Sequence, residues 1–185
     1  LTTACGASIT PLPPRAGSGP SPVPDNALVL SDAAYFEQQP LMVPVTGVAP
    51  KQVPDSFNEP RDDGRIHRAT DILAPKGTPV VAAAAGNILR MSTNRLGGIT
   101  IYMLDDASRF LYYYAHLDGY SQLPTPGGHV KQGDVLGYVG KTGNAPVTHL
   151  HFQAMRWDPA RRDYWNCPAV DVRPYFTLTG KEREP

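Results

Sequence analysis

The sequence predicts a mainly β domain, a compact antiparallel sheet architecture over residues 41–180. Three observations predict it. From about residue 41 onward, short β-branched or aromatic runs are separated by Gly, Asn and Asp turn positions. After residue 65 no stretch of about a dozen residues carries a convincing apolar period of 3.6. Apolar residues make up 41% of the 185-residue chain, enough for one packed core.

In chain order, residues 27–38 read as a short helix. Strands are expected at 42–45, 70–73, 79–84, 87–91, 99–104, 109–115, 135–139 and 149–155. Asp105-Asp106-Ala107-Ser108 supplies a hairpin turn between two of them. No internal repeat is visible.

Residues 1–40 differ in kind. Of the 20 prolines, 11 fall within residues 1–60, and residues 6–24 are rich in Pro, Gly and Ser with few apolar side chains. Such a composition cannot offset chain entropy by burial, so residues 1–40 are expected to be a tether or arm and 181–185 a short tail. Leu1-Thr2-Thr3-Ala4-Cys5 resembles the end of a bacterial lipoprotein signal, with Thr2 where Leu is usual. Cys5 is therefore the candidate lipidation site, and a lipid there is the only membrane contact expected. Cys5 and Cys167 lie too far apart in sequence for a zinc knuckle, and a disulfide between them stays open. Seventeen basic and seventeen acidic side chains cancel, which gives no electrostatic case for nucleic acid. The longest aliphatic run, Val80 to Ala85, is too short to span a bilayer.

Chemistry concentrates in three pieces: His67-Arg68-Ala69-Thr70-Asp71, Tyr114-Ala115-His116-Leu117 and His149-Leu150-His151-Phe152. In a strand, residues two apart share a face. His149 and His151 then point together, with Leu150, Phe152 and Ala154 on an apolar opposite face. His67 and Asp71 add an imidazole and a carboxylate at the entry to another strand. With one of the paired histidines they offer two nitrogens and one oxygen. That set suits zinc with a position left open for water.

These residues carry a resemblance. From about Phe57 to Phe176 the chain resembles the LytM/lysostaphin-type zinc endopeptidases, which cleave peptide cross-bridges of bacterial peptidoglycan. The matching pieces are His67-x-x-x-Asp71, Ala74-Pro75-Lys76-Gly77-Thr78-Pro79-Val80, Tyr114-Ala115-His116-Leu117, Gly133-Asp134-Val135 and His149-Leu150-His151-Phe152, in the family's order. The resemblance implies one zinc per chain held by His67, Asp71 and His151, beneath a groove in the sheet. It makes His116 and His149 the catalytic histidines that serve a zinc-activated water. Asn94, Tyr112, Tyr114 and Thr148 are the candidates for positioning the peptide stem. Ala69, Thr148 and Gln153 depart from the residues usual at their places, without removing a ligand. Trp157, Tyr164 and Trp165, in a long insertion, wall the groove or pack a core.

The resemblance further implies action on peptidoglycan peptide stems; a monomer is expected, and the lipoprotein-like start at Cys5 places it on the periplasmic side of a bacterial cell envelope. The bond cut stays open between pentaglycine, D-Ala-to-diaminopimelate and related links. The alternative is a regulatory or peptidoglycan-binding module that activates another hydrolase without cleaving. Five filled positions weigh against it.

Overall fold

The computed structural model describes residues 30–61, 64–160, 164 and 167–180. Eleven strands among them form one mixed sheet: β1 (Leu41–Thr46), β2 (Thr70–Leu73), β3 (Pro79–Val81), β4 (Gly86–Asn94), β5 (Gly98–Asp105), β6 (Phe110–Tyr120), β7 (His129–Val130), β8 (Val135–Val139), β9 (His149–Arg156), β10 (Ala169–Val170) and β11 (Phe176–Gly180). The path runs β11-β1-β3-β8-β6-β5-β4-β7, and β9 branches from β6 with β2 and β10 on its far side. Strands at 70–73 and 135–139 fall where the alternation places them. β3 stops at Val81, because Ala82 leaves the ladder to bond the backbone at Gly133 and Asp134.

The branch is the feature that matters. The first half of β6 pairs with β9, ending at Ala115↔His151. Its second half pairs with β8, starting at Leu117↔Val139. His116 sits in the fork, with a left-handed φ of 62°. On the other edge, Ile99 faces Leu117 and Ile101 faces Tyr114, so Ala115 and His116 share one partner position. This is a β-bulge, which bends the strand and re-aims a side chain.

The bulge sorts β6 by face. Phe110, Tyr112, Tyr114 and Leu117 enter the main core with Ile101, Met103, Leu150 and Phe152. Leu111, Tyr113 and Ala115 go to the other face, with Tyr102, Met155 and Cys167. Trp157 and Tyr164 pack against that second cluster; Trp165 lies outside the described residues.

Tyr112 and Tyr114 are therefore not substrate residues. Both are 0% exposed, and the Tyr114 hydroxyl oxygen accepts the Ala83 N–H at 3.0 Å. Unbroken alternation would put them on the face of His116, and the bulge reverses that parity. Among the described residues the Tyr112 hydroxyl is buried without a hydrogen-bond partner. A buried unmade hydrogen bond costs roughly 1–3 kcal/mol. Tyr112→Phe is accordingly expected to leave turnover unchanged and to hold or raise the denaturation midpoint; a loss of stability counts against this account.

Two expectations need correction at the sheet's ends. The arm does not run to residue 40: Ser31 caps a helix α1 (Asp32–Gln38), and residues 27–29 of the expected helix 27–38 lie outside the described residues. Phe36, 2% exposed, stacks on Phe110 and Tyr175 at 4.6 and 4.8 Å, so the packed unit starts near residue 31. The sheet is also not wholly antiparallel. β11 runs parallel to β1, Leu41 opposite Phe176, because the chain's last strand returns beside its first. Cys5 lies outside the described residues, and Cys167 is a buried free thiol.

Candidate active site

β2 and β9 place the first two groups by register. Asp71 is directly opposite His151, and Leu73 opposite His149. Cross-strand neighbours on one face lie about 5 Å apart at Cβ, close enough for side chains to meet. His67 arrives from the loop before β2. Its N–H bonds Glu59 O, the Arg68 N–H bonds Phe57 O, and Arg68 turns the chain with a φ of 58°.

The three converge. Asp71 Oδ1 lies 3.0 Å from His67 Nε2 and 3.0 Å from His151 Nδ1, and the two nitrogens are 3.1 Å apart. Tetrahedral zinc with bonds of about 2.0–2.1 Å spaces its ligand atoms about 3.3 Å apart. The tripod is thus within a few tenths of an ångström of a zinc-sized site. His67 donates its Nδ1–H to Ser56 O at 2.9 Å, which leaves Nε2 as a lone pair aimed at the centre. Ser56, 3% exposed, also accepts the Asp71 N–H on its Oγ at 3.1 Å. One buried serine therefore orients two members of the tripod.

The electrostatics suit a cation. Burial opposes ionisation of Asp71, but the His151 and His67 imidazoles around one oxygen and the Arg61 guanidinium on the other hold its carboxyl well below the usual carboxylate range. Burial pushes His151 down, and Asp71 partly offsets this. A neutral imidazole beside an ionised carboxylate is the protonation state metal ligation requires.

His116 and His149 stand beside the tripod. Their rings are 4.8 Å apart, and His149 Nε2 is 3.5 Å from Asp71 Oδ1. Each spends its Nδ1–H on a carbonyl: His116 on Thr142 O at 2.8 Å, His149 on Val147 O at 2.9 Å. Both Nε2 atoms are left as proton acceptors facing the site. Burial pushes His116 down to about 4, against the pull of the Thr142 carbonyl.

The structure brings together all five residues expected to act. It assigns Asn94 differently: its Oδ1 accepts the Leu96 and Gly97 N–H groups and shapes the β4–β5 turn. Thr148 is half-buried next to His149. Sequence reasoning missed Tyr113, whose ring stands edge-on to His151 at 6.0 Å. It also missed Ser56, Thr142 and Arg61, which touch His67, Asp71 and His116.

Thr142 ties the fork together. Its Oγ1 donates to Leu117 O at 2.7 Å and accepts the Ile99 N–H at 3.0 Å, while its carbonyl holds His116. The loop fits only because Gly98 and Gly143, both at positive φ, press backbone against backbone. Thr142→Val is expected to lower turnover about 10–100-fold by loosening His116, with metal content unchanged. Zinc stoichiometry beside single-turnover rates checks this.

Comparison with known proteins follows the same residues. The model of peptidase family M23 matches residues 65–166, a span holding all five. The chain is 32% identical over 120 residues to the peptidoglycan DD-endopeptidase ShyC of Vibrio cholerae, covering 65% of this chain and 26% of that protein. It is 36% identical over 116 residues to the L-Ala–D-Glu endopeptidase of Bacillus subtilis, covering 59% and 35%. Among solved structures, LytU superposes with a TM-score of 0.57 at 32% identity, covering 66% of this chain and 82% of that one. The chain thus spans only about a quarter to a third of these two relatives' length.

Proposed function

The chain belongs to peptidase family M23, and on that premise we propose that it is a zinc-dependent endopeptidase hydrolysing peptide cross-links of bacterial peptidoglycan. The observation that carries this is the tripod of His67, Asp71 and His151, spaced 3.0–3.1 Å, with the Nε2 atoms of His116 and His149 beside it. His67 Nε2, Asp71 Oδ1 and His151 Nδ1 would hold the metal. Zinc bound there supplies Lewis acidity, polarising the scissile carbonyl and lowering the pKa of a water to about 7.

The rest falls to the chain's own groups. His149, with Nε2 3.5 Å from Asp71 Oδ1, accepts the attacking water's proton and passes it to the leaving amine. Val147 O then steadies the imidazolium through the Nδ1–H. His116 stays neutral, with Thr142 O on its Nδ1–H, and its Nε2 accepts a hydrogen bond from the attacking water on the same proton path. Tyr113 forms a wall beside His151. A cell-envelope location with a lipid on Cys5 is part of the same proposal.

The test is mass spectrometry of fragments released from purified peptidoglycan by the zinc-loaded protein, beside a chelated control. Chelator-sensitive loss of cross-linked dimers is expected, and the masses name the bond. Cleavage that persists in chelator, or no cleavage by a zinc-loaded protein, refutes the proposal.

A further inference from the structure

Asp71 has a second oxygen, and its use is unusual. While Oδ1 joins the tripod, Oδ2 accepts a hydrogen bond from an Arg61 terminal nitrogen at 2.6 Å. The Arg61 backbone is tied down as well. Its N–H bonds Arg65 O at 2.8 Å, and Pro60 bridges to Ile66, so Arg61 and His67 sit on one short hairpin-like loop. The loop that delivers one metal ligand also delivers the clamp on another.

The geometry points to Arg61 as a positioning residue: we propose that its guanidinium holds Asp71 as a one-oxygen ligand and thereby sets the metal affinity of the site. A carboxylate with both oxygens free swings between one- and two-oxygen coordination. With Oδ2 bound to a guanidinium at 2.6 Å, only Oδ1 faces His67 and His151. A place is thereby kept for water and substrate. The rival account is an incidental ion pair, since Arg61 is 38% exposed and exposed pairs contribute little. The two accounts differ in what they predict for metal binding.

The inference rests on the zinc-dependent reading above, and the experiment separates the two. Metal-free wild type, Arg61→Met, Arg61→Lys and Lys76→Met are titrated with zinc against a competing chelator, and their thermal unfolding is followed without metal. Lys76 forms an exposed pair with Asp118 at 3.0 Å and serves as the control. Arg61→Met is expected to bind zinc about 10–100-fold more weakly. Arg61→Lys should recover part of this, because an ammonium supplies charge without the planar fork. Unfolding of the metal-free variants should match wild type within a few degrees, which shows the loss is not one of folding. Zinc affinity of Arg61→Met within twofold of wild type overturns the inference, as does an equal loss in Lys76→Met. A wild type that binds no zinc overturns the functional reading itself.

Discussion

His67→Ala purifies without zinc and without activity. This is the largest effect expected from any single change. The tripod has three protein donors, so removing one leaves two, one fewer than a catalytic zinc site uses. Zinc affinity should fall well beyond the ~10–100-fold typical for loss of a group behind a ligand. Asp71→Asn should do the same with almost no change in shape. The amide oxygen carries no charge to neutralise the metal, and Arg61 loses its ionic partner. Metal analysis after dialysis, with circular dichroism to confirm folding, checks both. Stoichiometric zinc in folded His67→Ala would mean that the metal sits elsewhere.

His149→Ala and His116→Ala should behave in the opposite way. Neither residue belongs to the tripod, so each variant keeps one zinc per chain. Turnover should nevertheless fall about 10²–10⁴-fold, the usual range for loss of a general acid–base group. The double variant should lose much less than the product of the two, if both serve one proton path. His116 adds a signature in acid. Its pKa of about 4 when folded lies below the ~6.5 of an unfolded histidine. Between these values the unfolded chain binds the proton and the folded one does not, so metal-free stability falls as pH drops. His116→Ala should flatten that part of the stability curve. Denaturant titrations from pH 7 to 4 on the metal-free proteins read it directly, and an unchanged slope counts against the assignment.

Much of this site was legible in the sequence. His149 and His151 share a strand face by simple alternation, with Leu150 and Phe152 buried behind them. Strand β2 lies where it was expected, and its cross-strand pairing with β9 brings Asp71 to His151. The aromatic residues of β6 illustrate the limit. Tyr112, Tyr114 and His116 look equivalent by period two, yet the tyrosines are core and the histidine faces the site. One extra residue at the bulge inverts the face, and nothing in Tyr-Tyr-Tyr-Ala-His marks where that residue falls.

What the sequence by itself determined is chemistry and period: the donor types, the strand runs and the apolar faces. Those depend on residues a few positions apart. The tertiary structure alone decided the fork where β6 exchanges β9 for β8, the parallel pairing of β11 with β1, and the anchoring of α1 through Phe36. It also chose the helpers, Ser56 behind His67, Thr142 behind His116 and Arg61 behind Asp71. Two of these three contacts act through a backbone carbonyl or one ion pair between residues 10 or 11 apart in a loop, and the third spans 26 residues. A carbonyl is the same in every residue, so no side-chain pattern records which one a histidine will find.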